Sequence, residues 1–268
     1  PQRIAWLGDA VAYPMKQGAA AAVYYGDRLY QFPLGVLGIA VATAIFPLLS
    51  RHAVRGDHRQ LGADLTLGLR MVMMLGIPAS VGLILLAEPI ASLLFQHGEF
   101  TAEDAVRTSQ MIRCYAIGVW AFCALPVIVR GFYAIGDRVT PVRVGMGMVG
   151  LNLALNLTLI WFWAECGLAV STAISAALQV VLLAAIFSRR RSRIYWRPLF
   201  ATILRAGVAT LLMWLLGHLV LSLMPEGTTV SLRAVRTLVP LVASVAVYLA
   251  TYTFLGGREL KWLFRSVK

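Results

Sequence analysis

Acidic side chains are scarce in this chain: 12 Asp and Glu stand against 24 Lys and Arg among 268 residues, a formal net charge of +12. The acids are also dispersed. That weighs against a membrane-embedded glycosyl- or phosphotransferase, which needs carboxylates clustered around a metal and a reacting group. Cys114, Cys123 and Cys166 form no CxxC and no metal spacing. His52, His58, His97 and His218 are scattered along the chain. No glycine-rich phosphate loop, HExxH or GxSxG occurs. The residues therefore describe no enzyme. Charge of either sign is low, at 13% of residues, against roughly a quarter in a soluble domain.

What is present is apolar length. Hydrophobic residues make up 59% of the chain and the mean hydropathy is +0.76. Runs of about 17–25 residues or more mark candidate transmembrane helices. They fall at approximately 17–50, 63–87, 104–133, 140–162, 166–188, 199–223 and 232–255. The expected fold is an all-α polytopic membrane protein with about seven full transmembrane helices plus a partial one at the start. The chain opens PQRIAWLGDAVAYP, which has no secretory n-region and h-region order. It reads as the tail of a helix, and the sequence as a fragment or C-terminal half. The first full run is too long for one straight crossing, and Pro33, Gly35 and Gly38 predict a kink within it. Broken helices at membrane depth commonly line a cavity.

The connections between runs alternate in charge. Arg51, Arg55 and Arg59 follow the first full run, and Arg138 and Arg143 follow the third. Arg189, Arg190, Arg191, Arg193 and Arg197 follow the fifth, and Arg258, Lys261, Arg265 and Lys268 follow the last. The other connections are poor in cations. The positive-inside rule then makes the basic loops and the C-terminus cytoplasmic in a multi-pass membrane protein. The net positive charge is thereby assigned to topology and to anionic membrane lipids, with no nucleic-acid partner. Trp161, Phe162 and Trp163 are expected at the outer interface. In LLFQHGEFTAEDA, Gly98 is expected to make a turn, and Thr101 with Asp104 resembles a helix-capping box. The glycines of GMGMVG, Gly145 to Gly150, are expected to permit close helix packing. Met71, Met73 and Met74 are expected to be filler facing core or lipid.

Asp27 and Arg28 stand together inside the run from Gly18 to Leu49. In a helix starting near Gly18, Arg28 lies roughly 15 Å from that start at about 1.5 Å per residue. That is about half of a hydrocarbon core of roughly 30 Å. A charge at that depth costs on the order of 2.5–3.5 kcal/mol, so a function is expected of it. Helical neighbours point about 100° apart, so the two side chains do not easily satisfy only each other. Arg70 and Arg113 also lie within or near spans and read equally as cavity-lining or interface charges. Arg130, near a cytoplasmic end, is expected to snorkel.

These residues carry a resemblance. YYGDRLYQFPLGVLGIAVATAIFPLLSR, LLFQHGEFTAEDA, GFYAIGDRVTPVRV, and LNLALNLTLIWF followed by GLAVSTAIS are similar to the MurJ (MviN) lipid II flippases of the multidrug/oligosaccharidyl-lipid/polysaccharide (MOP) exporter superfamily. The likeness spans nearly the whole chain, in the same order. It implies the C-terminal lobe of a MOP-type, MATE-like transporter. Residues 1–188 would be the six-helix lobe with its first helix truncated, and 189–268 two additional helices with a basic tail. The implied partners are lipid II, membrane lipids and, if the chain is a fragment, the missing N-terminal lobe. The implied function is movement of lipid II, an undecaprenyl-diphosphate-linked glycopeptide of peptidoglycan synthesis, across the cytoplasmic membrane by alternating access. The alternatives are a MOP exporter of another polyprenyl-diphosphate glycan and a non-transporting truncated membrane protein.

The resemblance also implies site residues. Arg28 matches a cavity-facing arginine whose planar guanidinium suits a lipid diphosphate. Asp27 becomes its positioning partner, Gln31 stands where the family can carry an acid, and Arg70 is a further candidate for the substrate cavity. A sodium site, with sodium as coupling ion, is implied at Asp9, Asn152, Asn156, the Leu168 carbonyl and Thr172. All are oxygen donors, as a hard cation requires. Some members carry Asp where Asn156 stands, so the site here has one charge fewer. No other cofactor is implied.

Overall fold

The computed structural model describes residues 15, 18–96, 100–225, 229–257 and 259. Asp9, Gly98, the opening partial helix and the tail's Arg258, Lys261, Arg265 and Lys268 lie outside the described residues. The rest of the apolar runs form helices. α1 (Ala19–Pro33) and α2 (Ala40–Val54) are joined by a π-helical turn, Leu34–Ile39. The three together form one candidate span, Ala19–Val54. Pro33 causes the break: it donates no N–H and its ring crowds the preceding turn, so the ladder restarts with wider spacing. The irregularity read from Pro33 is present as this π-helical turn, within a single span.

α3 (His58–Phe95) runs for 38 residues, about 57 Å at the helical rise, so its ends project beyond a hydrocarbon core. Asp57 caps it by accepting from the Gln60 amide at 3.0 Å. α4 (Ala102–Ala116) and α5 (Val119–Ala134) make one crossing bent by 42°. The capping box at the start of α4 forms as read: Thr101 accepts from the Asp104 amide, and the Asp104 carboxylate accepts from the Thr101 amide at 3.0 Å.

α6 (Val139–Arg190) is continuous in hydrogen bonding but not in direction. Ala164 has φ 47° and ψ −130°, a conformation that costs a non-glycine residue energy and needs its surroundings to hold it. The chain doubles back there. Asn152 reaches Ser171 at 3.5 Å, and a Cβ on Gly167 would lie 2.5 Å from the Leu159 carbonyl oxygen. These partners diverge in step on either side of Ala164, so the 52 residues are an antiparallel helical hairpin, as the separate runs 140–162 and 166–188 predict. α7 (Trp196–Leu223) and α8 (Val230–Phe254) complete the order. Five helices are long and apolar enough to cross a membrane. The bent α4–α5 pair and the two limbs of α6 bring the crossings to seven among the described residues.

α3 is the hub, with α4, α5, α7, α2 and α8 all packed along it. The main core joins α2, α3, α5 and the second limb of α6 through buried Leu49, Leu65, Val127, Phe132 and Phe187. Phe132 and Phe187 meet edge to face at 5.2 Å. Met71, Met73 and Met74 are buried filler. The GMGMVG glycines differ from expectation: a Cβ on Gly147 or Gly150 would meet nothing within 4 Å. They lie with exposed Met146 and Val149 on an open apolar face. The close approach is made elsewhere, where Gly26 of α1 meets α4 and its Cβ would be 2.7 Å from Met111 Cβ.

The basic connections gather at one end. Arg191 pairs with Asp137 at 2.8 Å, Ser192 hydrogen-bonds the His58 carbonyl, and the Tyr195 amide donates to Thr66 at 3.0 Å. The opposite end holds the α6 hairpin turn, where Trp161, Phe162 and Trp163 are 52%, 80% and 56% exposed. That end also holds a Tyr25–Phe95–Phe100 cluster.

Candidate functional site

Two polar features lie inside the spans. The first is on α1. One helix face carries Tyr24, Arg28 and Phe32, all exposed, at four-residue spacing. The opposite face, with Ala22, Gly26 and Pro33, is buried. Small Gly26 lets α1 press against α4, and that contact turns Arg28 outward. The Arg28 guanidinium donates to the Tyr24 hydroxyl at 3.2 Å and lies 5.0 Å from that ring's centre. No described carboxylate pairs with it.

Asp27 faces another way. It accepts from Gln31 Nε2 at 2.5 Å and sits close to the Tyr30 and Tyr115 hydroxyls. The reading of Asp27 as positioning partner of Arg28 is therefore corrected: Gln31 holds Asp27, and Tyr24 positions Arg28. The reason is the 100° step between consecutive helical residues, which sends the two side chains to different neighbours. Gln31 belongs to the Asp27 network, not to the Arg28 face. Tyr30 stacks at 5.1 Å from Tyr115 of α4, and this fixes the rotation of α1.

Arg70 does not join this set. Its Nε donates to Thr202 of α7 at 2.9 Å, and its NH2 pairs with Glu259 at 2.5 Å. Thr202 also donates to Glu259 at 2.6 Å. Leu29 packs beside Ala87 and Ala91 of α3. The level of Arg28 is thus about 20 residues along α3 from Arg70, roughly 30 Å at the helical rise. Arg113 meets Glu88 at 3.5 Å on the exposed surface. Arg130 lies 5.1 Å from the Phe46 ring centre. Arg107 pairs with Glu165 at 2.6 Å. Arg28 has its charge turned to an open face; Arg143, near the basic end of α6, is also exposed.

The second feature is the hairpin of α6. Asn156 donates to Asn152 Oδ1 at 3.1 Å, and Ser171 hydrogen-bonds the Asn156 side-chain oxygen. Ser171 and Thr172 both donate to the Leu168 carbonyl at 2.9 Å. Asn152, Asn156, Leu168 and Thr172 are therefore brought together, while Asp9 lies outside the described residues. Ser171, fully buried, is a member that sequence reasoning missed. Its signal was present in GLAVSTAIS, where two consecutive hydroxyls flank the face shared with Leu168. The donor set is oxygen-rich and carries no charge of its own. Its oxygens accept hydrogen bonds from within the cluster. No group of three His, Cys, Asp or Glu that could hold a metal ion occurs among the described residues.

Seven apolar crossings around a hub helix, with a guanidinium on an open face of one of them, make a polytopic, all-helical membrane bundle. The chain belongs to the lipid II flippase MurJ family, whose model matches residues 5–237. It is 42% identical over 173 residues to the protein named "Probable lipid II flippase MurJ" from Vibrio cholerae, covering 65% of this chain and 33% of that protein. A Rhizobium meliloti protein of the same name is 33% identical over 266 residues, covering 94% of this chain and 48% of its own length. A solved structure, "Lipid II flippase MurJ, inward closed conformation", superposes with a TM-score of 0.74 at 22% identity, covering 91% of this chain and 48% of that one. That likeness shows the fold. The chain spans about half the length of curated relatives aligned over nearly all of it, corresponding to their C-terminal half.

Proposed function

We propose that this chain supplies the C-terminal half of a lipid II flippase, with Arg28 as its contact to the lipid diphosphate. The observation that carries the reading is the open Tyr24–Arg28–Phe32 face of α1. A guanidinium kept at membrane depth without a carboxylate is stabilised when an anion arrives, and a diphosphate offers it bidentate oxygens. The other half of the full-length protein faces this surface and closes a cavity that opens alternately to each side. The undecaprenyl tail remains in lipid. The basic end is cytoplasmic under the positive-inside rule, which puts the C-terminus in the cytoplasm and the α6 turn at the outer face.

Sodium binding at the α6 hairpin is part of the same proposal. Asn152, Asn156, Leu168 and Thr172 would hold the ion, and the hard oxygen donors support it. The test is a sodium titration of the full-length protein followed by thermal unfolding, with potassium as control. Stabilisation by sodium that Asn156→Ala removes supports the site; equal curves in both salts reject it. For the substrate, binding of lipid II is measured against an O-antigen-type polyprenyl-diphosphate glycan. Preference for lipid II is expected, and preference for the other glycan overturns the assignment.

A further inference from the structure

We propose that Cys114 and Cys166 are a redox-active pair that forms a disulfide between α4 and the second limb of α6. The two sulfurs are 2.6 Å apart. They lie 52 residues apart in sequence, on different elements, and both are half-buried. Cys166 follows the Ala164 turn by two residues, so the sharp reversal of α6 aims it at α4. The same two elements are also clamped by the Arg107–Glu165 ion pair at 2.6 Å, on the residue next to Cys166. With the elements held in this register the sulfurs stand 2.6 Å apart, close to the S–S bond length of about 2.0 Å. Cys123 is different: it is fully buried and its thiol points to the Pro33 carbonyl, 3.7 Å away.

The pair lies toward the end opposite the basic connections. Under the orientation proposed above this is the outer half of the membrane, facing a compartment where disulfides form and persist. The electron acceptor is a disulfide-bearing oxidant at that face. One cysteine thiolate attacks the oxidant's disulfide and forms a mixed disulfide. The second thiolate then displaces the oxidant, which leaves as a dithiol carrying both electrons, while the two thiol protons pass to solvent or to that dithiol. The product is one Cys114–Cys166 disulfide. It closes a long loop and so restricts the unfolded chain. It also ties α4, which carries α1 and its Arg28 face, to the hairpin that holds Asn152 and Asn156, and so fixes one side of the proposed cavity.

The experiment uses the full-length protein in membranes from its own cells, quenched with an alkylating reagent before solubilisation. Non-reducing digestion and mass spectrometry are expected to find the peptide linked through Cys114 and Cys166. Dithiothreitol, Cys114→Ser and Cys166→Ser should each abolish it, and Cys123→Ser should leave it. Dithiothreitol should also lower the unfolding temperature of the native protein but not that of Cys114→Ser. Finding both thiols alkylated at the first quench overturns the proposal. A separate arm reduces Cys123→Ser protein in spheroplasts and adds a membrane-impermeant maleimide. Labelling of intact spheroplasts supports the outer placement. Labelling only after permeabilisation overturns the orientation and with it the oxidising compartment, while the peptide result still decides whether the pair bridges.

Discussion

Replacing Arg28 with alanine in the full-length protein should leave the fold nearly intact and remove transport. The fold term is small. The substitution removes one hydrogen bond to Tyr24 at 3.2 Å and a ring contact at 5.0 Å. At an exposed site the first is worth about 0.5–1.5 kcal/mol and the second about 0.5–1 kcal/mol. Removing a charge from membrane depth returns about 2.5–3.5 kcal/mol on the insertion scale, so net stability should be unchanged or higher. The substrate term is large. Each charge-assisted hydrogen bond to a phosphate oxygen is worth about 1.5–3 kcal/mol, and about 1.4 kcal/mol is tenfold in affinity. Loss of a bidentate contact, two such bonds or about 3–6 kcal/mol, therefore weakens diphosphate binding by roughly a hundredfold to ten-thousandfold. Arg28→Lys, which keeps the charge but loses the fork, should fall between. The assay is growth of cells depleted of their own flippase, with lipid II measured in each leaflet and the variant's membrane level and unfolding temperature measured in parallel. Full growth on Arg28→Ala at wild-type abundance would refute the reasoning.

Glu259→Ala should destabilise by about 1–3 kcal/mol, because it removes the ion-pair partner of Arg70, whose partly exposed guanidinium keeps only Thr202; thermal unfolding in detergent reads this, and an unfolding temperature within a degree of native would reject it. Gly26→Leu should separate α1 from α4, since even a Cβ there lies 2.7 Å from Met111 Cβ, whereas Gly35→Ala meets nothing within 4 Å and should be tolerated; membrane abundance and unfolding temperature compare the two. Asp137, in the turn before α6, has its pKa lowered chiefly by the Thr140 backbone amide, with help from the Thr140 hydroxyl and Arg191. A carboxyl depressed in the folded state stabilises fully above its unfolded value near 4, and that contribution is lost as pH falls through the lower folded value. Asp137→Asn should thus flatten the acid limb of stability against pH, and an unchanged limb would show that Asp137 does not contribute to it.

The candidate site was only partly legible in the sequence. Arg28 stood out because a charge in an apolar run is costly whatever surrounds it, and Asn152 with Asn156 stood out because residues four apart share a helical face. Arg70 looked equally exceptional, and nothing local showed that its partners, Thr202 and Glu259, lie 132 and 189 residues away. Cys114 and Cys166 matched no spacing motif because the turn at Ala164, not their separation in sequence, brings them together.

The sequence alone determined the elements: apolar length set the crossings, the cation-rich connections set which loops share an end, and Pro33 set the break in the first span. These follow from local rules of burial, charge and backbone chemistry that act within one run of residues. Asp27 with Gln31 is a pair four residues apart on α1, whereas tertiary structure alone decided which polar side chains meet across elements and hairpin limbs. It gave Arg70 to Glu259 and Ser171 to the asparagines, and it left the Arg28 face open. Those pairings depend on helix rotation, and rotation is set by close contacts such as Gly26 against Met111 that no single segment contains.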